Sequence, residues 1–280
     1  MADAMAAITH AVPLRLRKSV MTQDEAVALL KGDFGREFMR NVIKHVIPVC
    51  WGSYEGRTWS VHQSGTAFLL NCGLETFLVT AAHVYEEYLS SLSKVTGVRS
   101  YVGDVEFDFQ DRLIANLGSD ILDIATFRIL ESEISQLGKD VSHGPKEWPP
   151  EPAQQDDGVI FAGFPGVERS HHQVASTQTV CFGLYAGLTP VNSSSERHLG
   201  CVLERDEWID AIGKGIPDVN YNLGGTSGGP AFLVHESPAG VITRTITGVI
   251  YNATAGVMGE IVLIHHVHFI NADGTLRAPA

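Results

Sequence analysis

Gly224-Gly225-Thr226-Ser227-Gly228-Gly229-Pro230 is the most informative stretch of this chain. Glycines on both sides of a serine open backbone conformations closed to other residues and let a substrate carbonyl approach the chain closely. The backbone N–H groups of Gly225 and Ser227 can then form an oxyanion hole, worth about 3 to 4 kcal/mol per donor. A hydroxyl is a poor nucleophile at neutral pH. Ser227 therefore needs an imidazole to take its proton and a buried carboxylate to fix that imidazole's tautomer.

Two upstream segments supply those groups. Phe77-Leu78-Val79-Thr80-Ala81-Ala82-His83 is an apolar β run ending in small residues, which lets the chain turn and present His83 at an edge. In Asp120-Ile121-Leu122-Asp123-Ile124-Ala125 an acid heads an apolar strand and can be buried beneath a histidine ring. Asp123 leads directly into Ile124 and Ala125, whereas Asp120 follows the turn residues Gly118 and Ser119, where water reaches it. Asp123 is the expected acid and Asp120 its competitor.

Thr80-Ala81-Ala82-His83, Asp123-Ile124-Ala125 and Gly225-Thr226-Ser227-Gly228-Gly229-Pro230, in this order, resemble the three signature motifs of the trypsin/chymotrypsin superfamily. Gly163-Phe164-Pro165-Gly166 resembles the segment that often opens its second barrel, and the likeness runs from about residue 45 to 270. The resemblance implies an all-β chain of two six-stranded Greek-key β-barrels. It implies a serine endopeptidase acting through His83, Asp123, Ser227 and an acyl-enzyme, without cofactor, on a protein or peptide substrate. Aligned on the serine motif, Tyr221 and Asn222 fall at the floor of the primary specificity pocket and Tyr251 and Asn252 along a wall. With no acid at that floor, an uncharged or apolar P1 residue is expected.

The chain departs from secreted relatives at two motif positions. Thr226 stands where an aspartate often pairs with a freshly cleaved amino terminus, so that activation switch is not expected. Val84 stands where a disulfide cysteine commonly follows the histidine.

Composition narrows the partners. Of 280 residues 44% are apolar, enough for one large β domain or two lobes, and a net charge of −12 without a basic stripe argues against nucleic acid. Apolar runs such as 261–264 are too short for a bilayer, which needs roughly 20 residues. Arg15, Arg17 and Lys18 follow rather than precede the weak apolar stretch from Met5 to Leu14, the reverse of a secretory signal. Cys50, Cys72, Cys181 and Cys201 form no C-x-x-C pair and read as reduced, buried thiols, so a cytoplasmic setting is expected.

Four regions follow. Residues 1–45 form a helical arm, where Thr22-Gln23-Asp24-Glu25 is a capping box and Phe38, Val42, Ile43, Val46 and Ile47 recur at helical spacing. Strand-like runs at 65–70, 76–80 and 121–129 fill a first barrel, 46–135. Residues 136–157 carry Gly138, Gly144, Pro145, Pro149, Pro150 and Pro152 and read as a linker. Runs at 159–164, 177–184, 201–203, 230–234, 243–251 and 260–264 fill a second barrel, 158–280.

Competing readings exist for three features. Gly225 to Gly229 also fits the nucleophile elbow of α/β-hydrolases, but that fold places acid and base after the serine within βαβ units, and the sequence beyond Ser227 has no such pattern. His266 and His268 share a strand face and could ligate zinc, yet no Cys or carboxylate nearby completes a tetrahedral set, so a half-exposed strand is expected and no metal site. His171 and His172 read as a solvated loop. For the whole chain, the alternative to an enzyme is a catalytically silent module of the same fold that serves binding.

Overall fold

In the computed structural model, residues 4–6, 28–56, 58–174, 177–204, 209–210, 215–218, 221–236, 241–256 and 259–279 are described. The capping box at Thr22 lies outside them.

The chain builds two curled antiparallel sheets from the short strands its turn residues delimit. The first comprises β2 (Val46–Glu55), β3 (Thr58–Asn71), β4 (Thr76–Thr80), β5 (Arg99–Val102), β7 (Leu113–Asn116) and β8 (Ala125–Arg128), in the order β5-β2-β3-β4-β8-β7. The second comprises β10 (Gly158–Gly163), β13 (Leu184–Pro190), β15 (His198–Leu203), β16 (Pro230–Glu236), β17 (Ile242–Gly256) and β18 (Gly259–His266), in the order β13-β10-β16-β17-β18-β15. Numbered from its own first strand, each sheet follows one Greek-key path: the first strand pairs with the second and fourth, and the sixth lies between third and fifth or at the corresponding place on the curl. These are two six-stranded half-barrels in the chymotrypsin-like arrangement. Short pieces extend the edges: β6 (Val105–Glu106) and β9 (Ser142–His143) on the first sheet, β14 (Ser193–Ser194) and a parallel β1 (Ala4–Ala6) on the second. A separate ribbon pairs β11 (Arg169–Val174) with β12 (Thr177–Phe182).

Side-chain alternation explains the packing. Leu69, Leu78, Trp51, Phe107 and Phe127 fill the inside of the first curl, and Phe161, Tyr185, Leu199 and Ile264 that of the second. The intervening residues Phe68, Phe77, Val79, Ile160, Ala162 and Val249 face the seam between the lobes and form the largest core cluster. Strands such as Phe77-Leu78-Val79 read as unbroken apolar runs because both their faces are buried.

The helix Asp33–Ile43 places Met39 and Val42 on this seam cluster, with Phe38 and Ile43 at its margin. Val46 and Ile47, expected to continue that helix, instead begin β2. The run 121–129 is strand only over Ala125–Arg128, and 177–184 is interrupted at Gly183, where a Cβ would sit 2.7 Å from the Glu168 Cβ. The stretch between the lobes carries a helix, Glu131–Leu137, besides β9. His266 ends β18 and Val267–Phe269 is a 3-10 turn, so His266 and His268 do not share a strand; their rings lie nearly parallel with centroids 5.0 Å apart.

The four cysteines are free thiols; burial pushes Cys50, Cys72 and Cys201 up to about 12, which keeps them protonated. Among the described residues no helix is long and apolar enough to cross a membrane.

Candidate active site

His83 occupies the first turn of the helix Ala82–Lys94, which starts where β4 ends. Ala81 at its N-cap has no side-chain oxygen to satisfy the exposed first-turn amides. Asp123 does so instead: its Oδ1 accepts the His83 backbone N–H at 2.8 Å while Oδ2 meets His83 Nδ1 at 2.7 Å. One carboxylate thus caps the helix and grips the ring. The negative group also sits at the positive end of the helix dipole.

Asp123 is 6% exposed, held between Leu122 and Ile124, both fully buried in the seam. The turn before it is set by Gly118, at φ +89°, whose carbonyl accepts from Ile121 N and Leu122 N and whose N–H donates to Asn116 Oδ1. Two side chains hold this turn from opposite sides. Glu86, on the His83 helix, accepts from the Ser119 N–H at 2.9 Å and its hydroxyl at 2.6 Å. Arg197, from the second lobe, donates to the carbonyls of Asp120 and Ile121. Asp120 itself is exposed.

The His83 imidazole experiences opposing influences. Burial lowers its pKa, but the hydrogen bond and charge of Asp123, with the charges of Glu87 and Glu86, outweigh burial and hold it above its ordinary 6.5. With Nδ1–H donated to Asp123, Nε2 is left as the basic nitrogen.

Ser227 is 8% exposed at the head of β16, in the loop contributed by the second lobe. Its Oγ donates to the Tyr251 carbonyl at 3.4 Å, and among the described residues no hydrogen bond joins it to His83. The loop is clamped by close backbone approaches that only glycine allows. A Cβ on Gly228, at φ +89°, would lie 2.0 Å from the Thr66 carbonyl oxygen and 2.2 Å from Thr80 Oγ1, and one on Gly229 2.1 Å from the Ala162 oxygen. Gly228 N–H donates to Ile250 O, Gly229 N–H to Thr226 O and Gly166 N–H to Gly224 O. Among the described residues, the N–H groups of Gly225 and Ser227 donate to no protein acceptor.

The expected pocket residues have several roles. Asn222 Oδ1 accepts from Gly224 N at 2.8 Å and closes a tight turn onto the loop. The Tyr251 ring stacks on buried His265 at 4.0 Å, beside the charge of Asp123, and Asn252 is exposed. Tyr221 donates its hydroxyl to Glu168 Oε1 at 2.7 Å and feels the charge of Glu260, which is 2% exposed. Tyr221 thus has one acid within hydrogen-bond reach, Glu168, and a second, Glu260, near enough to act on it electrostatically. Burial, with Glu168 adding to it, keeps the Tyr221 phenol protonated.

Glu86, Ser119, Arg197, Glu168 and Thr66 were not legible as site residues. Thr66 had one signal, a polar residue between Gly65 and Ala67 at the start of an apolar run. No three His, Cys, Asp or Glu side chains among the described residues converge as a metal site.

No family model and no curated protein matches this chain. Among solved structures, the serine protease domain of Sesbania mosaic virus polyprotein is similar at 15% identity over 84% of this chain and 93% of that one, with a TM-score of 0.41. The thermostable serine protease AL20 from an extremophilic microorganism is similar at 12% identity over 80% and 91%, TM-score 0.41. A third, from work on coupled folding and binding of the disordered Sesbania mosaic virus VPg protein, is similar at 13% identity over 81% and 87%, TM-score 0.40.

Proposed function

We propose that this chain is a serine endopeptidase in which His83 is the general base, Asp123 its orienting carboxylate and Ser227 the nucleophile. The observation that carries the reading is the two-point grip of buried Asp123 on His83, through Nδ1 at 2.7 Å and the backbone N–H at 2.8 Å. That grip directs the basic Nε2 away from the acid. The mechanism requires the Ser227 hydroxyl to leave its long bond to Tyr251 O and turn to His83 Nε2; such bonds often close only when substrate is bound.

His83 removes the Ser227 proton as Oγ attacks the peptide carbonyl, and the amides of Gly225 and Ser227 receive the oxyanion. His83 then protonates the leaving amine, and water, deprotonated in turn by His83, releases the acyl group. The substrate is a protein or peptide. No step requires a metal or cofactor.

A second reading, a silent module that binds without cleaving, is favoured by the unclosed contact between Ser227 and His83. One titration separates the two. Under the enzyme reading a biotinylated fluorophosphonate labels Ser227 in the wild type, and labelling is lost in Ser227→Ala and His83→Ala. A folded wild type that is unlabelled and leaves a casein substrate intact refutes the enzyme.

A further inference from the structure

Thr66 lies on β3 of the first lobe, is fully buried, and touches the Ser227 loop of the second lobe at two points. Its backbone N–H donates to Ser227 O at 2.9 Å, and its hydroxyl donates to Gly225 O at 2.8 Å. The same hydroxyl accepts the Phe164 N–H at 2.9 Å, and the Thr66 carbonyl accepts from Thr80 Oγ1 at 2.6 Å. The proton's place is fixed by the partners. Phe164 N–H can only donate and Gly225 C=O can only accept, so the Thr66 O–H vector points at Gly225. A chain running amide to hydroxyl to carbonyl also polarises each member.

Gly225 needs such a restraint. At φ +101° it occupies a region open to glycine, and a residue without Cβ can flip its flanking peptides at little steric cost. A flip of the Gly224–Gly225 peptide would turn the Gly225 N–H out of the site and its neighbour's carbonyl into it. Both flanking peptides are held from outside the loop: Gly224 O by Gly166 N–H at 2.7 Å and Gly225 O by the Thr66 hydroxyl. Because each peptide is planar and trans, fixing Gly224 O fixes the Gly225 N–H. Fixing Gly225 O fixes the Gly225–Thr226 peptide, which links the Gly225 N–H to the peptide carrying the Ser227 N–H, itself held through Thr226 O by the Gly229 N–H.

We propose that Thr66 is a positioning residue whose hydroxyl, reaching across the seam, locks the Gly225–Thr226 peptide that links the two oxyanion donors, so that the amides of Gly225 and Ser227 on either side of it keep their spacing and direction. The proposal rests on the endopeptidase reading for its kinetic consequence, and on the hydrogen bonds alone for its structural one.

The test compares Thr66→Val, which keeps shape and loses the hydroxyl, with Thr66→Ser, which keeps the hydroxyl. On a peptide substrate Thr66→Val lowers kcat by about tenfold or more, part of the 10²- to 10³-fold loss seen when an oxyanion donor is removed outright. KM stays within about twofold, the pH midpoint of kcat/KM is unmoved because the His83–Asp123 pair is intact, and Thr66→Ser recovers most of kcat. Thr66→Ala reads the same way if the valine variant does not fold. A hydroxyl-free variant with kcat within twofold of wild type overturns the proposal, as does a serine variant that is no better than valine.

Amide hydrogen exchange over 223–229 on the same proteins separates the two readings. If the wild type proves inactive, the endopeptidase reading fails, while exchange faster in Thr66→Val and restored in Thr66→Ser still supports the positioning role. Unchanged exchange refutes it.

Discussion

Replacing Asp123 by asparagine tests the proposed chemistry at its narrowest point. The carboxylate accepts two hydrogen bonds, from the His83 backbone N–H and from Nδ1–H. An asparagine has one accepting oxygen. The backbone amide is a fixed donor at a helix start with no other cap, so the oxygen stays with it and the side-chain NH2 faces Nδ1. Nδ1 must then accept, the ring proton moves to Nε2, and the nitrogen that the proposed mechanism uses as base can no longer take a proton. The expected loss in kcat is on the order of 10⁴-fold, about 5.5 kcal/mol, as for this tautomer error in another Ser-His-Asp triad.

The same substitution removes the two largest influences that raise His83, the hydrogen bond and charge of Asp123, and leaves burial, which lowers it, opposed only by the weaker charges of Glu87 and Glu86. A general base works only when deprotonated, so activity rises as pH climbs through its pKa. The acidic limb of kcat/KM should therefore lie above about 6.5 in the wild type and move to lower pH in the variant. Initial rates on a chromogenic peptide from pH 5 to 9 measure both effects. An Asp123→Asn enzyme within tenfold of wild type, or one whose limb does not move down, would refute the reasoning.

Three further outcomes follow from other parts of the molecule. Buried His45 and His265 are each lowered to about 4, by burial first and then by the charge of Arg244 on His45; against about 6.5 unfolded, each costs about 2 kcal/mol at pH 5. Their contribution is present above 6.5 and lost as pH falls towards 4. The urea midpoint should drop clearly between pH 7 and pH 5, and a flat profile there contradicts the burial assignment. Gly228→Ala places a Cβ against the Thr66 carbonyl at a positive φ and should cost about 2 kcal/mol or more in thermal unfolding; a neutral effect means the loop is not clamped. Tyr221→Phe removes the hydroxyl that occupies Glu168 and should raise kcat/KM for Lys or Arg at P1 about tenfold relative to neutral residues, the weight of one charge-assisted bond. Profiling with a P1 peptide library reads this out, and an unchanged ratio places Glu168 away from the P1 side chain.

What the sequence disclosed depended on how far apart the interacting groups lie. β4 was legible because Thr76 to Thr80 is apolar and β-branched on both buried faces. The helix Ala82–Lys94 was not, since it lacks an N-cap oxygen of its own and takes its cap from Asp123, forty residues on. The strand expected from Ile121 begins only at Ala125, since Gly118 spends the intervening residues on a turn that faces Asp123 into the seam. His83, Asp123 and Ser227 stood out through local texture: small residues before one, an apolar strand after another, glycines around the third. Thr66, Glu168 and Arg197 act on partners 159, 53 and 77 residues away, and no short-range pattern encodes such pairs.

The seam between the lobes carries a consequence for control. His83 and Asp123 belong to one lobe and Ser227 to the other, so on the proposed reading neither lobe holds a complete reaction centre. Activity then reports on docking. A ligand that favoured any arrangement in which the two lobes dock differently would silence the enzyme by shifting a population, without touching a reacting atom. The helix Asp33–Ile43 packs Met39 and Val42 into that seam, so a change at this helix would bear on the same docking.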